Sequence, residues 1–258
     1  MPVESPRRSV AAMVEGEVAR ALGEHTRVVL AVSGGRDSMV LLEAAAAAAR
    51  SRLAAVATFD HGTGAAATAG CDAAERRARA LGLPVERGRA DGALRGEAEW
   101  RDARWRFLRA AAARHGAVVA TAHTEDDQVE TVLMRALRGA GARGLAGLYA
   151  PPPAGAPPAV ASPVVRPLLA LARDAVAAYA AVRGVRWVED PSNLSRRHLR
   201  NRVRLDLLPA LERARPGVSG ELLDVARRAA EWRAEVDEWI SRSLDVRVEQ
   251  GALAVAGA

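Results

Sequence analysis

Six residues, Ser33-Gly34-Gly35-Arg36-Asp37-Ser38, bring two glycines, two hydroxyls and a carboxylate into one short segment. A run rich in β-branched residues, Arg27 to Val32, precedes them, and a leucine- and alanine-rich stretch, Met39 to Arg50, follows. The pattern predicts strand, glycine turn and helix. Such a turn offers unobstructed backbone N–H groups and a helix N-terminus, which together cradle an anion. Gly34 and Gly35 let the backbone approach a phosphate closely, and Ser33 and Ser38 can donate to its oxygens. Asp37 narrows the chemistry further. A carboxylate beside phosphates is repelled unless a divalent cation lies between them, so the segment suggests a nucleotide with Mg2+. The plainer alternative is a tight turn whose aspartate only favours the helix dipole.

A second loaded segment is His123-Thr124-Glu125-Asp126-Asp127, with Glu130 one helical turn on. Thr124 and Asp127 have the spacing of a capping box. Three successive acids exceed what a cap requires and repel one another, so a cation such as an ammonium or magnesium is expected there. His123, just after a predicted strand, could accept a proton or orient a base, because imidazole titrates near neutral pH. Asp60-His61-Gly62 ends another predicted strand and is expected to shape a nucleotide pocket rather than to react. From Arg196 to Arg204 there are five arginines and no acid. A stripe of that kind can follow a phosphate backbone and stack on unpaired bases.

The elements that must position these groups alternate. Strands are predicted at 27–32, 53–59, 84–88 and 117–121, and helices at 9–23, 39–50, 70–82, 97–115 and 124–138. That order predicts an α/β fold, a doubly wound parallel sheet whose ligands bind outside the carboxyl ends of the strands. A proline-rich stretch from Ala150 to Pro167, including Pro151, Pro152, Pro153, Pro157 and Pro158, is expected to be an extended surface loop. Helices follow at 170–182, 198–214 and 220–245, with a turn at Glu189 to Asn193 between the first two. The boundary is placed near 210, giving a nucleotide-binding catalytic domain over 1–210 and a helical region over 211–258. Gly139-Ala140-Gly141-Ala142-Arg143-Gly144 matches GxGxxG by letter but follows a predicted helix, so a flexible helix-terminating loop is expected.

Composition excludes several classes. With 258 residues, 50% hydrophobic and 26% charged, the chain is globular. All 37 basic residues are arginine, against 31 acids, so no phosphate-loop lysine or Schiff base can exist. The net charge of +6 suits a polyanionic partner, although coding bias would also enrich arginine. One cysteine, Cys71, excludes an intrachain disulfide and a CxxC metal site. No signal peptide or membrane-spanning run is evident, and a cytoplasmic location without membrane contact is expected. The oligomeric state is left open.

The glycine turn resembles the pyrophosphate loop of the N-type ATP pyrophosphatases. Asp60-His61-Gly62, Ala120 to Thr131, Arg166-Pro167-Leu168-Leu169, and Glu189 to Asn193 followed by Arg200 to Arg204 narrow the resemblance to the tRNA(Ile)-lysidine synthases over about residues 25–210. The resemblance implies ATP-dependent ligation of free L-lysine to C2 of the wobble cytidine in a CAU-anticodon tRNA(Ile), through an adenylated base. It implies that Ser33, Gly34, Gly35, Arg36, Asp37 and Ser38 hold ATP, with Asp37 on magnesium and with Asp60 and His61 beside the nucleotide. Asp37, His123, Asp126, Asp127 and Glu130 would be catalytic. Arg101, Arg104, Arg200, Asn201, Arg202 and Arg204 would contact tRNA, the first two on the 97–115 helix together with Glu99, Trp105 and Arg109. Two departures stand out. Thr63-Gly64-Ala65 replaces a usual Leu-Arg, and the 220–245 helix either takes over RNA contacts made by extra C-terminal domains in larger members or a piece is missing. The rival readings are a tRNA thiolation enzyme of the same superfamily, disfavoured by the single cysteine, and a non-catalytic nucleotide- or RNA-binding module.

Overall fold

The computed structural model describes residues 6–90, 96–150, 163–249 and 252–257. Two compact units make up the chain, Met1–Asp127 with Ala156–Ser195, and Gln128–Gly155 with Arg196–Ala258. The first contains strands β1 (Val28–Ala31), β2 (Leu53–Asp60), β3 (Val85–Arg89), β4 (Val118–Ala120) and β5 (Val164–Val165). They form one sheet in the order β3-β2-β1-β4-β5, and every neighbouring pair is parallel. Helices α1 (Pro6–Gly23), α2 (Arg36–Ala48), α3 (Ala65–Ala80) and α4 (Glu97–Arg114) precede or connect these strands, and α5 (Glu125–Ala136) follows β4. The doubly wound parallel architecture expected from the alternation is the one observed.

The two-residue period of β1 explains why helices cover both faces. Val28 and Leu30 pack with Val14, Val18 and Leu22 of α1 and Val40 and Leu41 of α2. Val29 turns the other way, joining Ala55, Ala57 and Val119 against Leu108, Ala111 and Ala112 of α4. A strand buried on both sides reads as an uninterrupted apolar run, as Val28-Val29-Leu30 does. Between β1 and β4 the strand order reverses direction along the chain, which opens a crevice at their carboxyl ends.

Several elements depart from expectation. β5 lies inside the proline-rich stretch: Pro163 and Pro167 bracket a two-residue edge strand, a place where missing N–H donors do least harm. Residues Pro151 to Pro158, also expected in the loop, lie outside the described residues. After the short helix α6 (Ala142–Leu145) and helix α7 (Arg173–Arg183), the single helix expected at 198–214 is broken into α8 (Leu199–Arg202), a π-turn over Val203–Leu207 and α9 (Leu208–Ala214). Pro209 sits in the first turn of α9, where its lack of an N–H loosens the preceding ladder. Residue 210, the expected boundary, falls within α9. The last helix, α10 (Val218–Ser243), gives way to an antiparallel hairpin, β6 (Leu244–Glu249) with β7 (Ala252–Gly257). The alternation Leu244, Val246, Val248 is its sequence signal. Among the described residues no helix is long and apolar enough to cross a membrane.

Gly34 occupies a left-handed conformation with φ +86°, and a Cβ there would come within 2.1 Å of the Gly70 carbonyl oxygen on α3. A Cβ on Gly35 would meet nothing nearer than the Ser33 Oγ at 3.7 Å. Gly34→Ala is therefore expected to lower the unfolding free energy by about 2–4 kcal/mol, through positive φ and backbone collision together. Gly35→Ala should cost less than about 1 kcal/mol. Urea unfolding followed by circular dichroism separates the two, and equal losses would contradict the packing described.

Candidate functional site

The turn after β1 is held from three sides. Gly34 abuts Gly70, and a Cβ on Gly70 would in turn lie 2.6 Å from the Ser33 carbonyl oxygen. The backbone N–H of Val188 donates to the Gly34 carbonyl at 2.9 Å. Inside the turn, Ser38 Oγ donates to the Gly35 carbonyl at 2.8 Å and accepts from the Ser33 N–H at 3.2 Å. The two serine hydroxyls are themselves 3.2 Å apart. Helix α2 starts at Arg36 with extended Gly35 as its N-cap and no side chain capping its first amides. Uncapped N–H groups beside two clustered hydroxyls are an arrangement that suits a phosphate. Asp37 accepts from Arg36 Nε at 3.0 Å, and its side chain keeps 28% of its surface exposed. Among the described residues no group of three or more metal-ligating side chains is assembled. A single carboxylate next to a phosphate cradle suits Mg2+, which takes most of its ligands from phosphates and water.

At the end of β2, Asp60 is turned inward. It accepts from the Gly62 N–H and the Thr68 hydroxyl, both at 2.8 Å. Burial pushes its carboxyl up, but these two donors with Arg89 and Arg87 outweigh burial and hold it below the usual carboxylate range. Asp60 thus braces the turn. His61 packs edge-on against Phe59, ring centroids 5.1 Å apart, with its Nδ1 buried and unpartnered. Burial first, then the charge of Arg104, depresses its imidazole against the opposing pull of Asp60. Arg104 on α4 is itself lowered by burial and by Arg101, and no carboxylate among the described residues pairs with it. Arg101 is exposed.

Beyond β4, Thr121 Oγ1 and His123 Nδ1 are 2.9 Å apart, which fixes the imidazole at the strand end. The capping box forms: Asp127 Oδ2 accepts from the Thr124 N–H at 2.8 Å and from its hydroxyl at 3.1 Å. Asp126 accepts from the backbone N–H of Arg173 at 2.7 Å, and the Arg173 guanidinium lies 3.8 Å from Asp126 and 3.5 Å from Asp127. Sequence reasoning missed Arg173, the first residue of α7. It brings positive charge to Asp126 and Asp127 at the start of α5. The turns after β1 and β4 flank the crevice where the sheet reverses order, so Ser33 to Ser38 and His123 to Asp127 come to adjoining strand ends.

The second unit has its own charge cluster. Glu130, 1% exposed, accepts from Arg204 Nε at 2.6 Å and Arg200 Nε at 2.8 Å. Burial pushes its carboxyl up, but Arg204 and Arg200 overcome burial and hold it low. Arg196 pairs with Asp206 at 2.9 Å. The arginine stripe is therefore not a row of solvent-facing cations: Arg200 and Arg204 grip Glu130, Asn201 is buried, and Arg202 is exposed. The GxGxxG segment is pinned rather than loose. Gln128, fully buried, donates to the Ala146 carbonyl at 3.0 Å and accepts from the Leu148 N–H at 2.6 Å, while Arg135 donates to the Gly144 carbonyl at 2.7 Å. Gly147, at φ +62°, makes room for Gln128.

Comparison with known proteins agrees with this architecture. Residues 7–211 match the PP-loop domain family. A tRNA(Ile)-lysidine synthase of Salinispora tropica is 40% identical over 267 residues, spanning 99% of this chain and 77% of the relative. One from Burkholderia mallei is 40% identical over 248 residues, 90% of this chain and 49% of the relative. The chain thus spans about half the length of the Burkholderia relatives it matches. A solved U34-tRNA thiolase from Methanococcus maripaludis with its 4Fe–4S cluster superposes with TM-score 0.70 at 19% identity, over 87% of this chain and 80% of that one, and shares the fold. With the strand-end glycine turn, the family match and the Salinispora relative in agreement, the chain belongs to the PP-loop domain family and, within it, to the tRNA(Ile)-lysidine synthases.

Proposed function

We propose that this chain ligates L-lysine to C2 of the wobble cytidine of a CAU-anticodon tRNA(Ile), using ATP to adenylate the base and releasing pyrophosphate and then AMP. One observation carries the reading: an uncapped helix N-terminus with clustered serines and a first turn holding three acids flank the same sheet crevice. The first suits phosphates and the second suits an amino acid's ammonium. Ser33, Gly34, Gly35 and Ser38 would hold the triphosphate, and Asp37 a Mg2+ that offsets its charge. Asp126 and Asp127, already oriented by Arg173 and Thr124, would receive the lysine side chain. His123, oriented by Thr121, would take a proton from the attacking amine. Glu130 is a poor proton acceptor between two guanidiniums, so its proposed part is to set the positions of Arg200 and Arg204. Arg101, Arg104 and Arg202 would meet tRNA phosphates. Thiolation fits less well: the single cysteine, Cys71, is buried, and burial raises its thiol above the ordinary value.

Mass spectrometry of an in vitro transcribed CAU-anticodon tRNA(Ile), incubated with the protein, ATP, magnesium and lysine, should find a lysine added at the wobble cytidine. An unmodified nucleoside with all components present would refute the proposal. Asp37→Ala should abolish pyrophosphate release while leaving the circular dichroism spectrum unchanged, and residual adenylation near the wild-type rate would remove its metal role. Arg202→Ala is expected to weaken tRNA binding and to flatten the dependence of log K on log salt by roughly one unit. A salt slope equal to the wild type would take Arg202 out of the interface. Glu130→Gln should lower stability by about 2 kcal/mol at neutral pH, since it leaves two guanidiniums without their anion. Because the Glu130 carboxyl is held low when folded, its contribution is present above the ordinary glutamate pKa and fades as pH falls through the folded value. The gap between wild type and Glu130→Gln should accordingly narrow in acid, and a constant gap from neutral to acid pH would count against the ion pair.

A further inference from the structure

Helix α10 carries an apolar stripe that the proposed reaction does not use. Its buried face runs through Leu223, Ala226, Ala229 and Arg233. Val225, Trp232 and Trp239 instead stand 43%, 51% and 65% exposed. These three recur every seven residues, so they stack along one side of the helix with a drift of only about 20° per repeat. Two indoles and a valine in line on a surface helix, left exposed among the described residues, form a continuous interaction face rather than scattered exposed residues.

The charges beside the stripe indicate what covers it. Three residues after each stripe position, and once before the first, comes a charged side chain: Glu221, Arg228, Glu235 and Arg242. All four are exposed and their signs alternate. On the other flank lie Leu222, Ala229 and Val236, which merge with the buried face. A row alternating in this way is complementary to itself when reversed end for end. Two copies of α10 related by a two-fold axis between Glu231 and Trp232, and running antiparallel, bring each charged row opposite its own mate. Arg228 then faces Glu235 of the second copy, and Glu221 faces Arg242 of the second copy. The same axis sets Trp232 beside its own symmetry mate and Val225 beside Trp239 of the second copy. A parallel pair fails, because its two-fold would turn the charged row onto the partner's Leu222, Ala229 and Val236 edge and leave the charges unmatched. Glu221 and Arg242 already hold exposed pairs with Arg215 and Glu238, interactions weak enough in water to be exchanged.

We propose that α10 is a homodimerisation surface, pairing two copies of this chain antiparallel about Trp232. A single helix pair buries less area than a standard stable interface, so the dimer is expected to dissociate with a roughly micromolar constant. Sedimentation velocity of the full chain between about 1 and 100 µM should show a monomer–dimer equilibrium in that range. Trp232→Glu and Trp239→Glu should each weaken association by about tenfold or more, with helicity unchanged because both side chains are exposed. The charge row gives a test that general stickiness cannot pass. Arg228→Glu alone and Glu235→Arg alone should weaken the dimer, and the double reversal should restore it to within about threefold. Positions 228 and 235 lie two turns apart in one helix, so such rescue must act between copies. A chain that stays monomeric throughout the range overturns the proposal. So does a dimer indifferent to Trp232→Glu, or single reversals without effect. If tRNA, and not a second copy, shields the two tryptophans from fluorescence quenching, the face is an RNA surface and the proposal is likewise refuted.

Discussion

The close approach of two glycines sets the conditions for everything at the crevice. With no Cβ at either position, the turn after β1 lies directly on α3, its Gly34 facing the Gly70 carbonyl. Any side chain at either place would push the turn off the helix, and the amides that open α2 would no longer point together at one volume. Gly35 at the N-cap leaves those amides without a side-chain cap, a cost that a bound anion can remove. The Val188 N–H fastens the turn from its other side, so the turn keeps its shape through the chain's own contacts.

Arginine is the only basic residue available apart from histidine, and its planar fork determines how the acids are used. Arg173 reaches Asp126 and Asp127 together, and Arg200 and Arg204 converge on one carboxylate, Glu130. A lysine ammonium would bring three donors on one nitrogen but no planar fork to set two donors side by side against paired oxygens. The acids of α5 therefore have distinct local tasks despite their near-identical chemistry. Asp127 closes the capping box, Asp126 ties down the start of α7, and Glu130 gathers two arginines of the second unit.

Much of this was legible in the residues, and the gaps have physical causes. The apolar run Val28-Val29-Leu30 and its companions announce a sheet buried on both faces, and Ser33 to Ser38 announce a phosphate turn, because both signals are local and periodic. Gly70 is hidden because a glycine inside a helical pattern signals only that something comes close, not what does. Arg173 is hidden because its partners lie 46 and 47 residues away in sequence. The hairpin at Leu244 to Gly257 adjoins a long helix, and the amphipathic period of α10 masks the switch to alternation. Arginine stripes mislead for the opposite reason: charge is visible in sequence, whereas the buried carboxylate that absorbs it is not.

These placements also divide the chemical labour among the ionisable groups. A group can relay protons near neutral pH only if neither of its charge states is strongly favoured by its surroundings. Asp60 and Glu130 fail that condition, since donors and guanidiniums hold both carboxyls well into their ionised form. Asp127 has its Oδ2 committed to Thr124, and losing that charge would loosen the helix it caps. His61 is depressed by burial and by Arg104, which makes it a neutral wall rather than a relay. His123 remains, its ring oriented by Thr121 at the end of β4 beside the acidic turn. On the reading proposed above, an amine received at that turn would have the His123 imidazole as its proton acceptor.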